Sequence, residues 1–226
     1  SPGSLTIIGD SGVNAFSTAA NGALTRTSIT GYTPFEFNGN NYNALTINAL
    51  AGDDSIDLVS FGTAQTNNPA INLNGGTEDD TIRVRSTSGN TGLVSLNGGL
   101  GSDLFQLFDG GNTVDNIAGQ VDVDGADGNI GGNTDTLVIV DSGDPTADTN
   151  VIIAAVDPGL SPDYYVDGIN SVVSSDVVLR NIDTLDYTST AANDTIDGRF
   201  VNPAPAHDLT DVLLSGWTGA DQFRLL

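Results

Sequence analysis

The stretches INLNGGTEDDTIRV (71–84) and VSLNGGLGSDLFQL (94–107) decide how this chain folds. Each is a short run of alternating apolar and polar residues, a Gly-Gly bend, an Asp, and a second alternating run. Alternation sends every second side chain to one face of a strand, so Leu73 before the bend and Ile82 and Val84 after it are expected on a common apolar face. A unit of this size buries too little surface to be stable alone, whereas stacked copies share a continuous core.

Working outward, LTINALAGDDSIDL (45–58) is a third clear copy. Weaker ones are VDVDGADGNIGGNTDTLVIV (121–140), IDTLDYTSTAANDTIDG (182–198) and VLLSGWTGADQFRLL (212–226), and TIIGDSGVNAFS (6–17) joins them if Asn14 takes the Asp position. The anchors are then Asn14, Asp54, Asp80, Asp103, Asp135, Asp194 and Asp221, spaced 23 to 59 residues apart. This recurrence predicts an all-β parallel solenoid, β-helix-like, with rungs of roughly 20–30 residues. The alternative is a β-sandwich in which the same runs pair as antiparallel hairpins. The solenoid is preferred because the bend recurs at similar positions, which a sandwich does not require. Residues 1–226 are read as a single elongated repeat domain, with irregular insertions at 18–44 and 142–178 where the signature is missing.

Composition agrees. Glu36 and Glu78 are the only glutamates, and Lys and Met are absent. Good helix formers are therefore scarce beside abundant Gly, Asn, Thr, Val and Ile. A net charge of −23 repels phosphate backbones and anionic lipid, which argues against nucleic acid and direct membrane insertion as partners. It also opposes compaction, so carboxylates spread over an extended surface or cations neutralising them are expected. With no Cys, neither disulfides nor thiolate metal sites are available. No apolar run approaches the roughly 18–20 residues of a membrane span. The first residue is Ser1, which reads as a processed product or an excised piece.

The copies at 45–58 and 96–107, with the pair DTLVIVDSGDPTADTN (135–150) and LRNIDTLDYTSTAANDTI (179–196), resemble the degenerate repeats of giant adhesin-like surface proteins of planctomycetes, cyanobacteria and related bacteria. Those repeats are in turn similar to hemolysin-type calcium-binding repeats, G-G-x-G-x-D with an apolar residue two positions on. Gly98, Gly99, Gly101, Asp103 and Phe105 fit that pattern position by position; Gly75, Gly76, Asp80 and Ile82 fit it with Glu78 in place of the second-turn Gly. The wide spacing departs from the tandem nonapeptides of that family. The resemblance implies an extracellular, cell-surface protein of structural or adhesive role, a stalk, filament or sheath, supported by Ca2+.

Calcium takes about six to eight oxygens, and Gly-rich bends expose carbonyls beside the short carboxylates of Asp. The doublets Asp53/Asp54 and Asp79/Asp80 lead the candidate metal ligands, followed by Asp103, with Asp135, Asp194 and Asp221 at the same place in their copies. Bends meeting at one edge of a stack would bring these carboxylates within a few ångströms, an arrangement that demands a cation or raised pKa values. The plainer reading is that each Asp is a turn residue bonding its own backbone.

The chain is not read as an enzyme, and a polysaccharide-degrading enzyme on a β-helix is the least favoured alternative. An Asp-rich chain always supplies a carboxylate pair; Arg83 and Arg85 share a strand face suited to pairing with nearby Asp; and His207, the only histidine, lies in a turn-like NPAPAHDL. No G-x-S-x-G surrounds any Ser. Trp217, Tyr164 and Tyr165 are the aromatics considered for stacking on surface glycans, in an alternative role as a carbohydrate-binding adhesin domain. Otherwise the partners expected are further copies, by self-association, or adjoining repeats of a longer chain.

Overall fold

A computed structural model describes residues 3–21, 24–61, 67–87, 90–126, 132–148, 151–155, 164–169, 177–199, 209–216 and 218–225. They form two sheets and a 3-10 turn, Gly39–Asn41. One sheet has ten strands, in the order β1 (Gly3–Ile8), β5 (Tyr42–Ala51), β7 (Ala70–Thr77), β9 (Val94–Leu100), β11 (Val121–Asp124), β15 (Val177–Arg180), β14 (Tyr164–Asp167), β13 (Val151–Ala155), β17 (Thr195–Arg199) and β19 (Gln222–Leu225). The other has nine: β18 (Asp211–Ser215), β16 (Thr184–Thr188), β12 (Thr136–Val140), β10 (Leu104–Leu107), β8 (Thr81–Val84), β6 (Ser55–Leu58), β2 (Ala15–Asn21), β3 (Leu24–Ile29) and β4 (Phe35–Phe37).

The all-β expectation holds. The two runs of a copy do not pair with each other: β7 lies in the ten-stranded sheet and β8 in the nine-stranded one, with the Gly-Asp bend between them. Each run pairs instead with its counterpart in the next copy, parallel and residue for residue, as Ile71 with Val94 and Ile82 with Phe105. The sheets are nevertheless mixed. Strands β3 and β4 pair antiparallel beyond β2, and β14 runs antiparallel between β13 and β15. Both departures fall in 18–44 and 142–178, the stretches without the signature.

Alternation builds the core. Leu45, Ile71, Val94, Val121 and Val177 stand in one column across the ten-stranded sheet, and Phe16, Ile56, Ile82, Phe105, Leu137 and Leu185 in one across the other. All eleven are buried. Parallel strands pair only with distant segments, so burial of such columns, more than local preference, holds the sheets.

One position shows what the bend demands. Leu50 has φ +90°, where its register partner Gly76 has +129° and the next, Gly99, has +113°. A bulky side chain there costs about 1–3 kcal/mol in backbone strain, more than the about 0.5–1 kcal/mol that glycine costs in entropy. Leu50→Gly is expected to stabilise the fold by about 1 kcal/mol, a rise of a few degrees in a thermal melt. An unchanged or lower melting temperature would mean that the exposed Leu50 side chain contributes more than its strain removes.

Candidate functional site

The Asp of each bend sits where the chain turns from a strand of the ten-stranded sheet into one of the nine-stranded sheet. Its carboxylate accepts the backbone N–H of the equivalent residue in the preceding copy. Asn14 N donates to Asp54 Oδ1 (2.5 Å), Asp54 N to Asp80 Oδ1 (2.7 Å), Asp80 N to Asp103 Oδ1 (2.8 Å), Asp103 N to Asp135 Oδ1 (2.8 Å) and Asp135 N to Asp183 Oδ2 (2.8 Å). All six are buried. Neither reading of these Asp residues from sequence anticipates this: they bond the neighbouring copy's backbone rather than their own. At the far end the column closes on itself, because Asp183 N donates back to the Asp135 carbonyl (3.0 Å). At the near end stands an amide: Asn14 Nδ2 donates to the Gly12 carbonyl and to Asp10 Oδ1 (3.3 Å).

The glycines of the G-G-x-G-x-D pattern follow from this packing. A Cβ on Gly98 would collide with Asp103 Oδ2, and one on Gly75 with Asp80 Oδ2, so the first glycine makes room for the carboxylate of its own bend. Gly99 takes positive φ and lets the Gly76 carbonyl approach closely. Glu78, where the pattern expects glycine, sits at φ +75°, and its Oε2 accepts from Gly52 N (2.8 Å) and the Thr77 hydroxyl (2.6 Å). Those bonds hold its carboxyl below the usual carboxylate range.

The anchors do not share one edge. Asp194 and Asp221 lie where the chain returns from the nine-stranded sheet to the ten-stranded one, before β17 and β19. Apart from β3, the strands of the nine-stranded sheet all run parallel, so these bends are at the opposite ends of its strands. There Asp148 N donates to Asp194 Oδ1 (2.8 Å) and Asp194 N to Asp221 Oδ1 (3.1 Å). The residue that follows Asp135 in the first column is Asp183, not Asp194. Asp53 and Asp79 are exposed beside their buried partners, and Asp79 Oδ1 accepts Ser102 N (2.8 Å).

Burial of carboxyl groups on this scale is costly unless they are neutralised. Asp54 Oδ2, Asp80 Oδ2, Asp141 Oδ2 and Asp194 Oδ2 are buried without a hydrogen-bond partner. Burial pushes the Asp80 carboxyl up to about 7, with the neighbouring Asp103 and Asp54 adding to it against the Asp54 N–H, and raises Asp54 for the same leading reason. At the second edge, burial also raises Asp141 and Asp148; the charge of Asp148 reinforces it at Asp141, that of Asp194 at Asp148, and that of Asp144 at both. The Tyr187 hydroxyl donates to Asp148 Oδ2 (3.1 Å), and burial beside these acids holds that phenol well above its ordinary value.

The raised values favour a proton on Asp54 and Asp80. One oxygen of each column carboxylate is already taken by a backbone N–H, and calcium needs about six to eight. Among the described residues no three His, Asp or Glu side chains converge closely enough to hold a metal ion.

The residues weighed for catalysis and stacking are dispersed. Arg85 forms a two-pronged pair with Asp57 (2.9 and 2.6 Å), and Arg83 bonds Gln106 and lies 5.1 Å from the Phe108 ring centre. Tyr164 is buried, and His207 and Trp217 lie outside the described residues. Two aromatics that the sequence reading passed over are open to solvent instead: Tyr32, 59% exposed, and Phe35, 37% exposed. The one signal for them is the G-Y-T-P-F turn itself (31–35), which lies in a stretch without the repeat. Among the described residues no helix is long and apolar enough to cross a membrane. No protein-family model matches this chain, and neither a curated protein nor a solved structure matches it significantly.

Proposed function

We propose that the chain is a structural and adhesive module of the bacterial cell exterior, a solenoid-type stack that serves as a stalk, filament or sheath. The observation that carries this reading is the ladder of bend carboxylates, each of which ties one copy to the backbone of the one before. Such bonds hold neighbours together and leave each copy dependent on its neighbours alone, the organisation of repeat proteins that extend in one direction. The family resemblance and the acidic surface support an extracellular setting. Further repeats or further copies are the natural partners, because among the described residues the outermost strands of each sheet pair on one side only. Calcium is not part of this proposal.

The stack is tested by removing one repeat. Excising residues 71–93 joins Ala70 to Val94, and because Ile71 and Val94 are register partners, the strand continues in phase. The shortened chain is expected to keep its β circular dichroism and a single cooperative melt, with Asp54 N now donating to Asp103. Loss of folding, while excision of an out-of-phase segment of equal length does no worse, removes the stack and the role built on it.

A further inference from the structure

We infer that one face and one cleft of this molecule together bind an uncharged, hydroxyl-rich polysaccharide chain. The inference rests on the adhesive reading above and names what that adhesion would hold. The face is the outer side of β1, β5, β7 and β9. None of the residues in those four strands is charged, although the whole chain carries −23. Its outward positions form rows across the strands: Thr6, Thr46, Asn72 and Ser95 in one, Ile8, Asn48, Asn74 and Asn97 in the next. The outer side of the nine-stranded sheet differs, since Asp57, Arg83 and Asp186 stand in one row across it.

The cleft adjoins this face through Ile8, which is 60% exposed and belongs to both. It has a volume of about 260 Å³ and is lined by Ile8, Gly9, Ile29, Tyr32, Thr33 and Phe35. That is just under the usual range of small-molecule pockets, about 300–1,000 Å³. The Tyr32 hydroxyl donates to Asp10 Oδ2 (3.2 Å), which fixes the ring at the mouth. The Gly12 N–H, then the Asn14 amide and Tyr32, hold the Asp10 carboxyl below its ordinary value, so that it is an ionised acceptor beside the rings.

Three observations select the occupant. A charge-free face on a strongly acidic molecule excludes anionic polymers by repulsion elsewhere and admits neutral ones. Asn, Thr and Ser each offer donor and acceptor to a hydroxyl group, and the Asn74 Nδ2 to Asn48 Oδ1 bond (2.5 Å) uses only a fraction of what the two amides supply. Four strands about 4.8 Å apart and some five residues long make a patch of a few hundred Å², about half of the roughly 800 Å² per partner that a stable protein interface needs. The same patch suits a slender chain whose rings stack on Tyr32 and Phe35 and whose hydroxyls follow the rows.

The test is retention of the purified chain by amylose, curdlan and xyloglucan, with alginate as the acidic control. Retention by at least one neutral glucan and none by alginate is expected. Asn48→Asp with Asn74→Asp, and separately Tyr32→Ala, should each weaken retention by about tenfold with circular dichroism unchanged. Asp186→Asn should leave it as it was. No retention by any of the three glucans, equal retention by alginate, or unaltered binding by the face and cleft variants overturns the inference. So does a concentration-dependent dimer that the double variant abolishes, which would give the face to a second copy. Each of these outcomes leaves the repeat-excision result, and hence the stack, standing or falling separately.

Discussion

Acidification from pH 8 to pH 5 is expected to raise the melting temperature, by on the order of 10 °C. Most proteins rich in paired carboxylates behave the other way, so the sign is the substance of the prediction. The Asp80 carboxyl is pushed up to about 7 by burial, against an ordinary value of about 3.9 in the unfolded chain. Below about pH 4 both states carry the proton and the fold has its full stability. Between about 4 and 7 the unfolded chain has lost a proton that the folded chain keeps, so stability falls with rising pH; above about 7 both are ionised and the loss is complete. Between pH 5 and 8 that amounts to about 3 kcal/mol for Asp80 alone, or roughly 2–4 °C for each kcal/mol in a chain of this size. Asp54, Asp141 and Asp148, also raised by burial, act in the same direction. The lowered groups Asp10, Glu36 and Glu78 oppose it, but they are solvent-facing and their bonds are weak contributors. Asp80→Asn separates the column from general charge repulsion. An amide oxygen can still accept the Asp54 N–H without carrying charge, so the variant should melt higher than the parent at pH 8 and about equally at pH 5. A parent melt that is flat or lower at pH 5 would remove the account of Asp80 as a proton-bearing carboxyl.

Gly98→Ala should be among the most damaging single-methyl additions in the molecule. The added carbon would meet Asp103 Oδ2, and the carboxylate cannot retreat without abandoning the Asp80 N–H that it holds at 2.8 Å. Overpacking plus a stranded buried donor costs about 3 kcal/mol or more, which thermal melting would show as a fall on the order of 10 °C. Gly110→Ala is the control: a Cβ there meets nothing within 4 Å, and the melt should hardly move. Equal effects at the two positions would mean that Asp103 is free to shift and that the first glycine of the pattern is not a packing requirement.

Much of this architecture was legible because burial alternates along each strand. Leu73, Ile82 and Val84 are fully buried as their spacing predicts, and the bend Asp residues are the right anchors for the clearest copies. What spacing cannot convey is which sheet a strand leaves. Asp194 ends a polar bend, TSTAAND (188–194), that aligns with the others by its Asp alone, and it lies on the return between sheets. Asp183 escapes the pattern because its turn is made by Asn181 at φ +50°, without any glycine between β15 and Asp183. The antiparallel strands β3, β4 and β14 lie in stretches without the repeat, where no periodic signal constrains pairing. The charge-free face was equally hidden. It emerges only when strands distant in sequence stand side by side, since each contributes just two or three of its outward residues.

The column of bend carboxylates has a direction. Asp54, Asp80, Asp103 and Asp135 each receive from the copy before and give their own N–H to the copy after, whereas Asp183 receives and donates back, so the stack is a vector whose two ends are chemically unlike. Trimming copies from the Asp183 side strands backbone donors, which water can serve. Trimming from the Asn14 side uncovers a carboxylate built to be capped, a harsher loss. An amide that supplies its own donors, as Asn14 does, is therefore the chemistry suited to starting such a column, while any Asp can continue it.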